Sequence, residues 1–203
     1  MSRTAAIAPG SIDRAWFDRP AAAVARDLLG ARLVVRGADG TVGGRIVEVE
    51  AYRGPEDLAA HSARGRTARN AVMFGPPGHL YVYLIYGLHH CLNVVAGPGE
   101  KPEAVLVRAM EIDQGIDLAR ARRGLGVPDR RLAAGPGNVA RALGVDRTLD
   151  GSDLISGPVR IEPRVGQVPR LRRGPRVGVA YAGAWAARPL RFWIEDDPHV
   201  SRS

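Results

Sequence analysis

Alternation of apolar and polar residues with a period of two dominates the middle of this chain. Over residues 45–52, Val47, Val49 and Ala51 alternate with Ile46, Glu48, Glu50 and Tyr52, the pattern of a strand. Residues two apart share a strand face, so Glu50 and Tyr52 project together, a carboxylate beside an aromatic plate. The strand of residues 41–52 returns from a first arm at 31–36 through a Gly37–Gly40 turn, and Gly43-Gly44 marks a bulge within it. Residues 79–86 and 89–96 make a second hairpin, joined at Gly87-Leu88. Tyr81 and Tyr83 share a face of it, and Tyr86 falls at its turn. On the other arm Asn93 lies on one face with His89, Cys91 and Val95, a polar group that needs a partner if buried. Residues 104–112 are a third apolar run, and Arg108 in its middle is costly there unless a carboxylate or a phosphate pairs with it.

Helical patterns are fewer. Residues 21–29 follow Arg19-Pro20, with Asp18 as the expected cap and Gly30 as the stop. Residues 113–123 read as a second helix and 139–143 as a short third, entered through Gly135-Pro-Gly-Asn138. Residues 177–181 and 190–194 read as closing strands, with Trp185 and Trp193 as anchors of a core or an interface. Residues 53–79 have no period, and residues 157–174 are rich in proline and arginine. Residues 1–15 are expected to be a disordered terminus and 16–203 one domain, with no internal repeat or linker.

Charge and chemistry refine this picture. The net charge is +8, and Lys101 is the only lysine. A positive excess favours a polyanionic partner, and the guanidinium fork suits phosphate. A GC-rich codon bias, which also raises Ala, Gly and Pro, gives the same surplus. The one cysteine, Cys91, excludes an intrachain disulfide and a multi-cysteine zinc site, and fits a reducing, cytosolic setting. No 18-residue apolar run is present, as a membrane-spanning helix would require, and residues 1–10 lack the apolar stretch of a signal peptide. The long loop carries His61 with Arg64, Arg66 and Arg69; loops of that length inside a domain are functional or disordered. Gly135 precedes a helix start, where backbone N–H groups can meet a phosphate. Taken singly, each feature has an ordinary structural explanation: a solvated Glu-x-Tyr face, a packing histidine, an ion-paired Arg108, a plain helix start.

Several blocks in order change that balance. Residues 45–52, Gly54-Pro-Glu-Asp57, Ala60-His-Ser62, Leu80-Tyr-Val-Tyr-Leu-Ile-Tyr-Gly87, Asn93, Val105-Leu-Val-Arg108, Gly135-Pro136, Arg176-Val-Gly-Val, Ala182-Gly and Arg188-Pro-Leu-Arg-Phe192 together resemble the alkyladenine (3-methyladenine) DNA glycosylases, over about residues 16–200. The resemblance implies an α+β fold: a single domain with a curved mixed or antiparallel sheet and surrounding helices. It implies neither metal nor organic cofactor, and a monomer acting on double-stranded DNA that contains damaged purines, in the cytoplasm and at the nucleoid. The implied reaction is hydrolysis of the N-glycosidic bond of alkylated or deaminated purines (3-methyladenine, hypoxanthine, ethenoadenine) after base flipping. Glu50 then stands as general base with Arg108 orienting the site. Tyr52, His61, Tyr83 and Asn93 line the base pocket, Tyr86 intercalates, and Arg66, Arg69 and Gly135 contact the DNA. Glu48 is the competing carboxylate, read as structural support. The loop from Arg64 to Arg69 is one residue shorter than in mammalian members, and His89 stands where they carry a tyrosine. The opposing reading is a non-catalytic nucleic-acid-binding module using the same basic, tyrosine-rich surface. A glycoside hydrolase with Glu48 and Glu50 as acid and base fits poorly, because both lie on one strand while that chemistry needs them on opposite sides of the bond.

Overall fold

The computed structural model describes residues 12–201. Most of the expected disordered terminus therefore lies outside the described residues; within them, Arg14–Phe17 already form a short helix, α1, whose Asp13 side chain accepts from the Trp16 N–H. Helix α2 (Ala21–Leu28) follows, then β1 (Arg32–Gly37) and β2 (Gly40–Tyr52). After the long loop come β3 (Leu80–Ile85), β4 (His89–Ala96), β5 (Glu103–Gln114), α3 (Ile116–Arg123), β6 (Ala133–Ala134) and α4 (Pro136–Leu143). The chain closes with β7 (Val159–Glu162), β8 (Leu171–Gly174) and β9 (Arg191–Ile194). Among the described residues every strand pairing is antiparallel, and all nine strands belong to one sheet with the main order β3-β4-β5-β2-β1-β7. This is the α+β, single-domain architecture expected.

The sheet forks at its longest strand. Along one side β2 keeps β5 as its neighbour; along the other it pairs with β1 up to Arg45 and with β9 from Glu48 to Glu50. Register shifts against β5 fall at Gly43/Gly44, where the glycine pair suggested a bulge, and again on either side of Glu48. The alternation sorts the side chains between two faces. Val47, Val49 and Ala51 of β2, Leu92 and Val94 of β4, and Val105, Val107 and Ala109 of β5 join one buried cluster with Val24 and Leu28 of α2, Ala119 of α3, and Val139 and Leu143 of α4. The opposite alternates are buried too, and Glu48, Glu50, Arg108 and Asn93 among them are polar. One face thus carries the main hydrophobic core and the other a group of buried polar side chains.

Several local expectations are corrected. Asp18 does not cap α2: its carboxylate accepts from the Gly99 N–H, while Glu103, reaching across from β5, accepts from Ala21 N–H at 2.5 Å. A buried carboxylate at a helix N-terminus satisfies an orphan donor and meets the positive end of the dipole. The second helix starts at Ile116 rather than 113, because β5 runs on to Gln114 and Gly115 turns the chain at φ 69°. The third begins earlier, at Pro136, a residue suited to the first turn. Residues 177–181 are not a strand: Gly178, at φ 74°, breaks the extension, and Ala180–Trp185 wind into 3₁₀ turns. The arginine-rich stretch hides β7 and β8, and the long loop contains two 3₁₀ turns, His61–Arg64 and Ala71–Phe74.

The bulge at Gly44 admits no side chain. A Cβ there would sit 1.9 Å from the carbonyl oxygen of Glu111, so backbone must move. Gly44→Ala is expected to lower stability by about 1–3 kcal/mol, the usual cost of overpacking, as a reduced urea midpoint. Gly126→Ala, which would point into open space, is the control; equal midpoints for the two variants would refute this account.

Candidate active site

A cavity of about 350 Å³ opens on the polar face of the sheet. Its floor is a row in strand register: Tyr81 opposite Asn93, Asn93 opposite Leu106, Leu106 opposite Glu50. Tyr83 and Cys91 form the next row, and Tyr52, Ala104 and Arg108 complete the floor. Loops supply the walls: Ala59 and His61 from the long loop, Pro136 at the start of α4, and Val177, Val179 and Tyr181 after β8.

Glu50 is fully buried from bulk water yet lines this cavity. Its Oε1 accepts from the Val177 N–H at 2.8 Å, and its Oε2 accepts from the Tyr52 hydroxyl at 2.8 Å. Arg108 Nη1 stands 3.3 Å from Oε1. Burial pushes the Glu50 carboxyl above the usual carboxylate range, and Arg108, the Val177 N–H and the Tyr52 hydroxyl pull against that rise. The shared strand face of Glu50 and Tyr52 is as the alternation predicts. Glu48 differs: it accepts from Arg108 Nε at 3.1 Å, Arg191 Nε at 2.6 Å and the Ser201 N–H at 2.8 Å, and it does not line the cavity. Geometry therefore separates the two carboxylates, one open to the cavity and one saturated behind it.

The aromatic groups converge. Tyr83 and His61 meet edge to face, centroids 4.5 Å apart, and Tyr81 tilts against Tyr83 at 5.4 Å. His61 Nδ1 and the Tyr81 hydroxyl share a hydrogen bond of 2.9 Å, and among the described residues no partner meets the other ring nitrogen. Desolvation, with Arg69 and Arg64 nearby, lowers the His61 pKa and so favours the neutral imidazole. Burial also raises the phenol of Tyr81 to about 12. Asn93 finds the partners its burial requires, donating to the carbonyl oxygens of Tyr81 at 3.1 Å and Cys91 at 3.5 Å.

Tyr86 stands at the β3–β4 tip, 85% exposed, with its backbone at φ 54°. A bulky residue held in the left-handed region is uncommon and marks a constrained position. Arg69 covers Tyr83, its guanidinium 5.3 Å from the ring, and donates to the Leu84 carbonyl. Arg66 is exposed on the same loop, away from the cavity. Gly135 does not reach the cavity, and its N–H already donates to the Arg108 carbonyl at 2.9 Å.

Three contributors escaped the sequence reading. Arg176 and Asp57 form a fully buried two-pronged pair, Nη1–Oδ2 2.5 Å and Nη2–Oδ1 2.8 Å, with the guanidinium 4.7 Å behind the Tyr52 ring. The Val177 N–H is a main-chain group and leaves no residue signature. Tyr181, read as part of a strand, is an exposed aromatic on the cavity rim.

Comparison with known proteins places the chain beside named relatives. Residues 15–198 match the family model described as methylpurine-DNA glycosylase. Proteins named "Putative 3-methyladenine DNA glycosylase" are similar along nearly their whole length. That of Streptomyces avermitilis is 50% identical over 194 residues, covering 94% of this chain and 90% of the relative. That of Myxococcus xanthus is 46% identical over 193 residues, with 94% and 93% covered. That of Methanoculleus marisnigri is 49% identical over 197 residues, with 95% and 99% covered.

Removing one member of a buried ion pair strands the other. Asp57→Ala is expected to cost about 3–5 kcal/mol in urea denaturation. Asp39→Ala, which removes an exposed carboxylate from Arg122, should scarcely move the curve. Comparable losses for the two would show that the Arg176–Asp57 pair does not support the wall behind Tyr52.

Proposed function

Since the chain belongs to the methylpurine-DNA glycosylase family, hydrolases of N-glycosyl bonds, we propose that it releases alkylated or deaminated purines, of the 3-methyladenine, hypoxanthine and ethenoadenine kind, from duplex DNA. The observation that carries this reading is Glu50: a carboxylate held by three partners at the floor of an aromatic cavity, with an arginine beside it.

A purine stacked in a duplex cannot reach that floor, so the nucleotide is flipped out. Tyr86, exposed and preset at the hairpin tip, fills the gap left in the stack. The extruded base lies between Tyr52 and the His61–Tyr83 wall; stacking on such faces is worth roughly 1–3 kcal/mol per base. The wall suits cationic purines as well, since aromatic faces attract cations and the neutral His61 does not repel them. Asn93 occupies the floor where the exocyclic amine of guanine would collide, a group that adenine and hypoxanthine lack.

Cleavage passes through an oxocarbenium-like sugar, by analogy with sugar hydrolysis. A water attacks C1′ as the C1′–N bond breaks and the base leaves with the bonding electrons. Glu50 takes the water proton and offsets the developing charge, and Arg108 orients the water or the adjoining phosphate. The arginine-rich surface, Arg66 and Arg69 included, meets the phosphates. The charge of +8 suits a DNA surface, and in this reading the protein acts on DNA as a monomer, in the cytoplasm and at the nucleoid.

Glu50→Gln keeps the shape but cannot accept a proton. It should bind a hypoxanthine duplex near normally and lose about 10²–10⁴-fold in single-turnover base release, the usual worth of general-base assistance. The wild-type rate should also fall as pH drops, since protonated Glu50 is inactive. Because burial raises that carboxyl, the inflection should lie above the free value of about 4.3. Near-normal release by Glu50→Gln would defeat the mechanism.

Tyr86→Ala should leave binding to undamaged duplex intact and weaken extrusion, followed by a fluorescent base analogue at the lesion site. Unchanged extrusion would remove Tyr86 from the wedge role.

A further inference from the structure

Glu48 is the most completely engaged carboxylate on the polar face, and the reaction described above does not use it. It has no exposure, and both its oxygens are committed: Oε1 to Arg108 and Arg191, Oε2 to the Ser201 N–H. Arg191 adds a second tie to the same segment, donating from Nη2 to the Ser201 carbonyl at 3.3 Å. Ser201 lies beyond residues 15–198, the stretch that matches the family model.

Arg108 depends on this arrangement. Its only side-chain hydrogen bond among the described residues is Nε to Glu48; toward Glu50 it makes an ion pair through Nη1 without a hydrogen bond. The guanidinium is therefore aimed from behind, and its Nη1 and Nη2 donors are left for the cavity. Were it free to turn, the stable alternative is a two-pronged Arg–carboxylate pair with Glu50. That pair would consume both the orienting donors and the basicity of Glu50.

We infer that Glu48 is the positioning residue of the site, holding Arg108 short of a two-pronged hydrogen-bonded pair with Glu50, and that the segment at Ser201 locks Glu48 in place. This rests on the proposed base-release activity, and wild-type release from a hypoxanthine duplex tests that activity separately. The groups facing Glu50 are Arg108, Glu48, Tyr52, Tyr83, Cys91 and the Val177 N–H.

Two variants probe the lock. Glu48→Gln removes the charge that anchors Arg108. Ser201→Pro removes the N–H donated to Glu48, together with the hydroxyl and the backbone freedom of that residue, and leaves every charge unchanged, so it separates positioning from a simple field effect. Single-turnover release is measured against pH and normalised to the fraction of protein that binds lesion DNA. In both variants the plateau is expected to fall about ten- to a hundredfold, the scale of a small misplacement of reacting groups, with lesion affinity within about twofold of wild type. The acid limb should move to lower pH as Arg108 closes on Glu50. Wild-type plateau and acid limb in Ser201→Pro would overturn the inference. So would a Glu48→Gln protein whose release per binding-competent molecule is normal, or one that no longer binds lesion DNA, since Glu48 would then serve folding alone.

Discussion

Two carboxylates two residues apart on a central strand, both closed off from bulk water, set the terms for the rest of this structure. An isolated buried carboxylate is costly, and two adjacent ones more so. The remedy is cationic and main-chain: Arg108 lies between Glu48 and Glu50, Arg191 backs Glu48, and the N–H groups of Val177 and Ser201 complete the shell. Those partners come from β5, β9, the loop after β8 and the segment after β9, and the fork at β2 brings β5 and β9 to its two sides. The fork thus meets a requirement of the buried carboxylates on one face as much as of packing on the other.

The two carboxylates meet that requirement unequally. Glu48 accepts from three fixed donors, whereas Glu50 faces a cavity and keeps a raised affinity for a proton. A difference of surroundings alone separates an enclosed carboxylate from one open to a cavity, although the residues are identical and share a strand face. The proposed chemistry depends on that asymmetry.

Much of this was legible in the sequence because strand alternation is a local code. The pairing of Glu50 with Tyr52, the shared face of Tyr81 and Tyr83, and the exposed tip at Tyr86 follow from position along a single strand or turn. Roles within the site came from resemblance, since no periodicity distinguishes Glu50 from Glu48. What stayed hidden was non-local. Asp57 meets Arg176 across 119 positions, and Glu48 meets Ser201 across 153. The donor from Val177 is backbone and carries no residue identity at all. The strand misread at residues 177–181 is the same failure in another form: Val177 and Val179 suggest extension, and only the turn at Gly178 shows that the chain has left the sheet to cover a cavity.

The core and the cavity walls draw on different parts of the chain. The extensive apolar cluster ties α2, α3 and α4 to the sheet, while Tyr52, Ala59 and Val179 gather in a small cluster of their own and Met73, Tyr81 and Tyr83 in another. Segments with few apolar contacts open locally at a lower free energy than the core. The molecule is therefore stiff where the sheet meets its helices and compliant where loops form the cavity walls. Sequence drift in those loops can reshape the cavity without disturbing the half of the protein that keeps it folded.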